Sequence, residues 1–400
     1  MQIKTIKDFY SSMKQSSEVR RRLVANILRD EALPTEQVDF LRSLCTTLKR
    51  LPDAEGFVTL EADQKNISLK LDYEIDELEK DLLFLRLGEE ALLDRMSELH
   101  PGFQEELKEA RAFCAAMSFP LDCLITDRDG TVNNYCGRYL SSVQSIYNAV
   151  FLSRFARAAE VRHAVILTSA PLSDGGLEDL TVSPPGTFVL AGSKGREYLD
   201  DRGRRGALAI EADKQRQLER LNRRLNELLQ DPAYEIFGLI GSGLQFKFGQ
   251  TTVARQDIYG SIPTPESERF AGVIRELICD IDPEGLYFRV EDTGKDIEVI
   301  LTVEGESGLK DFDKGDGILF LDSELGLGLD GGGNLICGDT ASDIPMVTAA
   351  AGKSPDPWTI FVTREENLQE AVRRVSARAH FVSEPDVLVC CLNQLGEERG

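Results

Sequence analysis

Three short stretches carry the residue types able to do chemistry. Asp127 and Asp129 stand two apart in Asp127-Arg128-Asp129-Gly130-Thr131, directly after the apolar run "LDCLIT". Thr168 and Ser169 follow "HAVIL", and Asp339 and Asp343 lie in Gly338-Asp339-Thr340-Ala341-Ser342-Asp343 after "NLIC". Lys314-Gly315 stands just before the helix-compatible run "DGILFLDSELG". Taken singly, an Asp-Gly pair is a turn and an Asp or Thr before a helix is an N-cap. In this order, at the ends of strand-like runs, they make an active-site set. Four carboxylates brought together raise one another's pKa and destabilise the fold unless a cation neutralises them. Ligands that are all oxygen select a hard divalent ion, so the expected cofactor is Mg²⁺.

The elements that must position these groups are short apolar runs alternating with helical patterns from about residue 118 onward. "LDCLIT", "HAVILTS", "TFVLAG", "NLICGDT" and "WTIFVT" read as buried strands of an open parallel α/β sheet, where functional groups collect at strand ends. Between about 200 and 310 the order helix, strands, helix, strands predicts a separate α/β module set into the sheet domain. Before residue 118, Leu, Ile, Val and Phe recur at spacings of three and four, and His100-Pro101-Gly102 supplies a stop; three or four helices are expected. The third of these, "LDYEIDELEKDLLFLRLGEEALLDRMSELH", is long and charged enough to stand out as a coiled-coil arm. The division is therefore an N-terminal all-helical domain at 1–117, a sheet core at 118–200 and 311–400, and an inserted module at 201–310.

"GLGLDG", residues 326–331, has the letters of a dinucleotide fingerprint. It follows a helix pattern and precedes a strand, the reverse of what that fingerprint requires, and is read as a connector. The chain has 400 residues and a formal net charge of -22, so its field repels nucleic acid and anionic membrane surfaces, and neither is an expected partner. Eight cysteines without a CxxC pair, an N-terminus without a signal-peptide apolar core, and no span long enough for a bilayer predict a cytoplasmic protein.

The ordered set Asp-x-Asp-Gly-Thr, Thr-Ser, Lys and Gly-Asp-x-x-Ser-Asp resembles the haloacid dehalogenase-like phosphatase superfamily. The insert lies between the second and third of these, where sugar phosphatases of that superfamily carry an α/β cap. "AGSKGREYLD" and "GKDIEVIL" look like segments of trehalose-6-phosphate phosphatases, and the N-terminal extension is similar to that of the nematode-type enzymes. The resemblance implies a Rossmannoid parallel-sheet core and hydrolysis of trehalose 6-phosphate. Asp127 would attack phosphorus, Asp129 would serve as acid and then base, and Thr168, Ser169 and Lys314 would hold the phosphoryl oxygens. It implies a metal site from Asp127, Asp129 (through its backbone carbonyl) and Asp339, with Asp343 as a further ligand or as an orienter of the others, and substrate reading by the cap through Gln245, Lys247, Lys295 and Glu298. Gln245 stands where the family has an acidic residue.

Alternatives are another capped phosphatase, acting on sucrose phosphate or mannosylglycerate phosphate, and an assembly subunit working through the helical domain, whether with a protein partner or by self-association. Cap motion would hinge near residues 196–206 and 305–314.

Overall fold

The computed structural model describes residues 2–399 apart from 63–64, 118–119, 159–160, 302, 306–307 and 311. The N-terminal unit runs α1 (Ile6–Leu28), α2 (Thr35–Leu48), β1 (Val58–Ala62), β2 (Lys65–Leu69), α3 (Asp72–Leu99) and α4 (Phe103–Ala115). It holds the expected helices, but it is not all helical: β1 and β2 pair as an antiparallel hairpin. The cause is local. Val58, Leu60, Ala62, Ile67 and Leu69 are buried at a period of two, which a strand can bury and a helix cannot. Nor does α3 project as an arm. It breaks at Gly88, whose φ of 83° no helix interior adopts, and Glu74, Glu77, Lys80 and Asp81 on it are buried.

The core begins with β3 (Leu121–Thr126), α5 (Ile146–Ala156), β4 (Val161–Leu167), α6 (Leu177–Leu180), β5 (Val189–Gly192), β6 (Glu197–Leu199) and β7 (Arg205–Ala207). The insert follows as α7 (Ala212–Leu228), β8 (Leu244–Lys247), β9 (Gln250–Ala254), α8 (Thr264–Ile281), β10 (Phe288–Asp292) and β11 (Asp296–Leu301). After the hairpin β12 (Val303–Gly305) and β13 (Gly308–Lys310), the core resumes with α9 (Lys314–Leu325), β14 (Asn334–Gly338), α10 (Ile344–Lys353), β15 (Trp358–Val362), α11 (Glu366–Val375), β16 (Ala379–Val382) and α12 (Pro385–Arg399).

Among the described residues the core strands lie in the order β16-β15-β14-β3-β4-β5-β6-β7, parallel as far as β5 and antiparallel beyond it. The five strands read from the sequence are all in this sheet. Residues 197–207 belong to it too, so the chain leaves the core only after Ala207, which moves the first expected hinge from 196–206 to the connector at 208–211. The second expected hinge falls partly outside the described residues.

Alternation decides what packs on each face of the sheet. Ile125, Val165, Leu167, Ile336 and Phe361 meet Ile318, Leu321, Met346, Val347 and Val372 of α9–α11. Leu124, Ala164, Ile166, Leu335 and Ile360 join the larger cluster with α5, α12 and the N-terminal helices. The insert has its own antiparallel sheet, β10-β11-β9-β8. Among the described residues no helix is long and apolar enough to cross a membrane.

Candidate active site

Sheet order explains why residues two hundred positions apart meet. β3 lies between β14 and β4, with Thr126 opposite Cys337 on one side and Ile166 on the other. All three strands run the same way, so Asp127, Thr168 and Asp339 emerge from neighbouring ends. Oxygens of Asp127, Asp339 and Asp343 then lie within 4.8 Å of one another. Lys314, in the first turn of α9, puts its Nζ 2.5 Å from Asp127 Oδ1 and 2.5 Å from Asp343 Oδ1. The other oxygen of Asp343 accepts the backbone N–H groups of Asp339 and Thr340, at 3.1 and 2.9 Å. Asp343 therefore ties the lysine to the loop after β14.

Gly130 is there because nothing larger fits. Its φ is 90°, and a Cβ would stand 2.2 Å from Asp339 Oδ2. Thr131 closes the turn by donating from Oγ1 to Asp339 Oδ1 at 3.1 Å.

The charges do not balance within the cluster. Burial, opposed by Lys314 and reinforced by Asp343, pushes Asp127 up to about 7. Burial together with Asp127 and Asp343 pushes Asp339 up to about 8. Asp343 is held below its ordinary value, because Lys314 and the two N–H groups outweigh its burial. Lys314 is buried as well, yet its two carboxylates keep its pKa above the usual lysine range. One ammonium thus serves two carboxylates, and Asp339 is left facing like charge. This donor set, all oxygen and two positive charges short when its three carboxylates are ionised, fits a hard divalent cation.

Asp129 points elsewhere. Its Oδ1 accepts from Arg128 Nη1 at 2.6 Å and Ser142 Oγ at 2.7 Å, with Asn133 Nδ2 at 3.4 Å. Among the described residues these three donors all converge on Oδ1. Asp129 lines a cavity of about 110 Å³ with Tyr135, Tyr139, Ser142, Ser242 and Gln245. That cavity joins the core to the insert. Thr168 is buried at the end of β4, its Oγ1 accepting the Ala170 N–H at 3.2 Å, and Ser169 follows it half-buried.

On the insert, Gln245 and Lys247 are buried on one face of β8 while Phe246 between them is exposed. Gln245 pairs with Thr252, which pairs with Glu298, so these three form one polar row across the sheet. Gln250 Nε2 donates to Glu298 Oε2 at 3.0 Å. Burial, opposed by Glu298, pulls Lys247 below its ordinary pKa. Lys295 is not in this row. It is exposed at the tip of the β10–β11 hairpin, where its carbonyl accepts the N–H groups of Arg255 and Gln256. The β8–β9 turn rests on the core, with the Phe248 N–H donating to Ser193 Oγ at 2.8 Å and Arg196 Nη1 to the Gly249 carbonyl at 2.7 Å.

Sequence reasoning passed over Arg128, Asn133, Tyr135 and Ser142. Arg128 occupies the unspecified position of Asp-x-Asp. The others follow the turn in a stretch with no helix or strand period, so nothing in the pattern marked them.

The family model "Trehalose-6-phosphate phosphatase, C-terminal" matches residues 124–388, and "Trehalose-6-phosphate phosphatase N-terminal helical bundle domain" matches residues 5–101. The chain belongs to the trehalose-6-phosphate phosphatase family. It is 31% identical to the trehalose-phosphatase of Brugia malayi over 99% of this chain and 87% of that one. It is also 31% identical to the UDP-forming alpha,alpha-trehalose-phosphate synthase 2 of Caenorhabditis elegans, over 98% of this chain. The chain spans only 34% of that synthase, and a similar third of the other synthases it matches. Among solved structures, the trehalose-6-phosphate phosphatase of Aspergillus fumigatus aligns over 74% of this chain and 97% of its own, at 15% identity and a TM-score of 0.42.

Proposed function

We propose that this chain hydrolyses trehalose 6-phosphate to trehalose and phosphate, with Mg²⁺ held by Asp127, Asp339, Asp343 and the backbone carbonyl of Asp129. The observation carrying this reading is the convergence of Asp127, Asp339 and Asp343 around Lys314, with Asp129, two residues on from Asp127, lining a cavity shared with the insert. Bound there, the ion supplies charge for the phosphoryl oxygens.

Asp127 attacks phosphorus as the bond to the sugar oxygen breaks, giving an aspartyl-phosphate, and Asp129 passes a proton to that oxygen. Water then attacks the phosphorus of the acyl phosphate, Asp129 takes a proton from that water, and the bond from Asp127 to phosphorus breaks to release phosphate. Thr168, Ser169 and Lys314 hold the phosphoryl oxygens as their charge shifts. The charge on Lys314 opposes the burial that holds back ionisation of Asp127.

Gln245, Lys247 and Glu298 read the sugar hydroxyls from the polar face of the insert, with Lys295 at its rim. Core and insert face each other across the cavity lined by Asp129 and Gln245, so lifting of the insert would open it to substrate. The three units act as core, cap and N-terminal brace. α3 turns its polar face to the core, so a protein partner or a second copy would meet the N-terminal unit on another side. Eight unpaired thiols suit a reducing cytoplasm.

The test is phosphate release from trehalose 6-phosphate, sucrose phosphate and mannosylglycerate phosphate, each with and without Mg²⁺. Preference for trehalose 6-phosphate is expected, and indifference to it would defeat the substrate assignment. Chelation should stop turnover and added Mg²⁺ restore it. Mg²⁺ should also raise the melting temperature without substrate, by about 2.7 kcal/mol of stability at a hundred times its Kd; an unchanged melting temperature would remove the metal site. Lys247→Ala should raise KM about tenfold or more, the worth of a charged hydrogen bond of about 1.5–3 kcal/mol. A fall in kcat at constant KM would take Lys247 out of substrate binding.

A further inference from the structure

Residues 135–139 and Ser142 form one wall of the cavity, and the segment that carries them, Asn133 to Val143, is anchored from the N-terminal unit. Glu74 of α3 is fully buried. Its two oxygens accept from Arg138 Nη2 at 2.8 and 2.7 Å, and Oε1 accepts from Ser141 Oγ at 2.6 Å. The preceding residue, Tyr73, donates its hydroxyl to the Val143 carbonyl at 3.3 Å and accepts from Asn133 Nδ2 at 3.0 Å. Asn133 Nδ2 also lies 3.2 Å from Ser142 Oγ, the group that donates to Asp129 Oδ1. Two residues of α3 therefore grip the wall at Asn133, Arg138, Ser141 and Val143, and through Asn133 and Ser142 the grip reaches Asp129. A buried ion pair such as Glu74–Arg138 gives little net stability over apolar packing, but it fixes one geometry.

We propose that Tyr73 and Glu74 are positioning residues for the reaction: acting through Asn133, Ser142 and Arg138, they set the carboxyl of Asp129 where the sugar oxygen departs. This rests on the reading of Asp129 as proton donor. The N-terminal unit is then part of the catalytic apparatus.

The experiment compares two substrates in the full-length protein. Trehalose 6-phosphate has an alkoxide leaving group that needs a proton, whereas p-nitrophenyl phosphate releases a stable phenolate that does not. Tyr73→Phe and Glu74→Gln should each lower the ratio of kcat/KM for the sugar phosphate to kcat/KM for the aryl phosphate, which reports the step of leaving-group departure and not the shared hydrolysis of the aspartyl-phosphate, by about 10–100-fold, the usual effect of removing a supporting hydrogen bond one step from the chemistry. The ratio is independent of the folded fraction, because unfolded protein turns over neither substrate. Asp129→Asn, measured alongside, should lower the same ratio further. If Asp129→Asn lowers it and both α3 variants leave it at the wild-type value, the positioning role is overturned and the proton-donor reading stands. If Asp129→Asn leaves the ratio unchanged, both fall.

Discussion

Asp127→Asn is expected to lower phosphate release by about 10⁴-fold or more, the scale on which loss of a nucleophile acts, without lowering the melting temperature. The two outcomes have one cause. The carboxylate is buried and pushed up to about 7, so its charge is costly to the native state even with Lys314 Nζ 2.5 Å away. Asn has nearly the same volume and still offers Lys314 an oxygen, while Asp343 keeps the ammonium paired. What disappears is the anion able to bond to phosphorus. Phosphate release and calorimetry on the same preparation check both halves. Retention of more than about a hundredth of the activity would place the nucleophile elsewhere, since even one lost oxyanion donor can cost that much.

The second large effect lies outside the active site. Arg20 of α1 and Asp81 of α3 are both fully buried, joined at 2.7 Å, and Asp81 Oδ1 also accepts the Ile146 N–H at the start of α5. Asp81→Ala should destabilise the protein by about 3–5 kcal/mol, because it leaves a guanidinium buried without its partner. Arg20→Met combined with Asp81→Leu should recover most of this, short of about 1–3 kcal/mol for the orphaned Ile146 N–H. Burial pushes Asp81 from 3.8 up to about 6 against the pull of Arg20. The native state thus holds this proton more tightly than the unfolded chain. The contribution is fully present below pH 3.8 and is lost as pH rises through about 6, so Asp81→Asn should flatten that part of the stability profile. Urea unfolding at pH 4.5 and 7 reads both claims. A single variant as stable as the wild type would show that the pair does not hold α1, α3 and α5 together.

The sheet strands were legible in the sequence, and so was the placing of Asp127 and Asp339 at neighbouring strand ends. Apolar runs of five to seven residues have few alternatives to a buried strand, and parallel strands bring their polar ends to one edge whatever lies between them in the chain. The sequence also held the signal for the hairpin at Val58–Leu69, as a period of two that a helical reading overlooked.

Tertiary structure decided the rest. The charged stripe of α3 looks solvated in a helical pattern, yet Glu74, Glu77, Lys80 and Asp81 face inward, because their partners Arg138, Asn134, Asp386 and Arg20 arrive from distant parts of the chain. No local period records that. Residues 197–207 pair with the core sheet although they precede the insert with no apolar run of their own; a free strand edge bonded to them. The carboxyl of Asp129 likewise took its direction from Ser142 and Asn133, side chains chosen by a wall that α3 holds in place. Strand periodicity is written into neighbouring residues, whereas the pairing of buried polar groups depends on which surfaces meet, and that is settled only when the chain has folded.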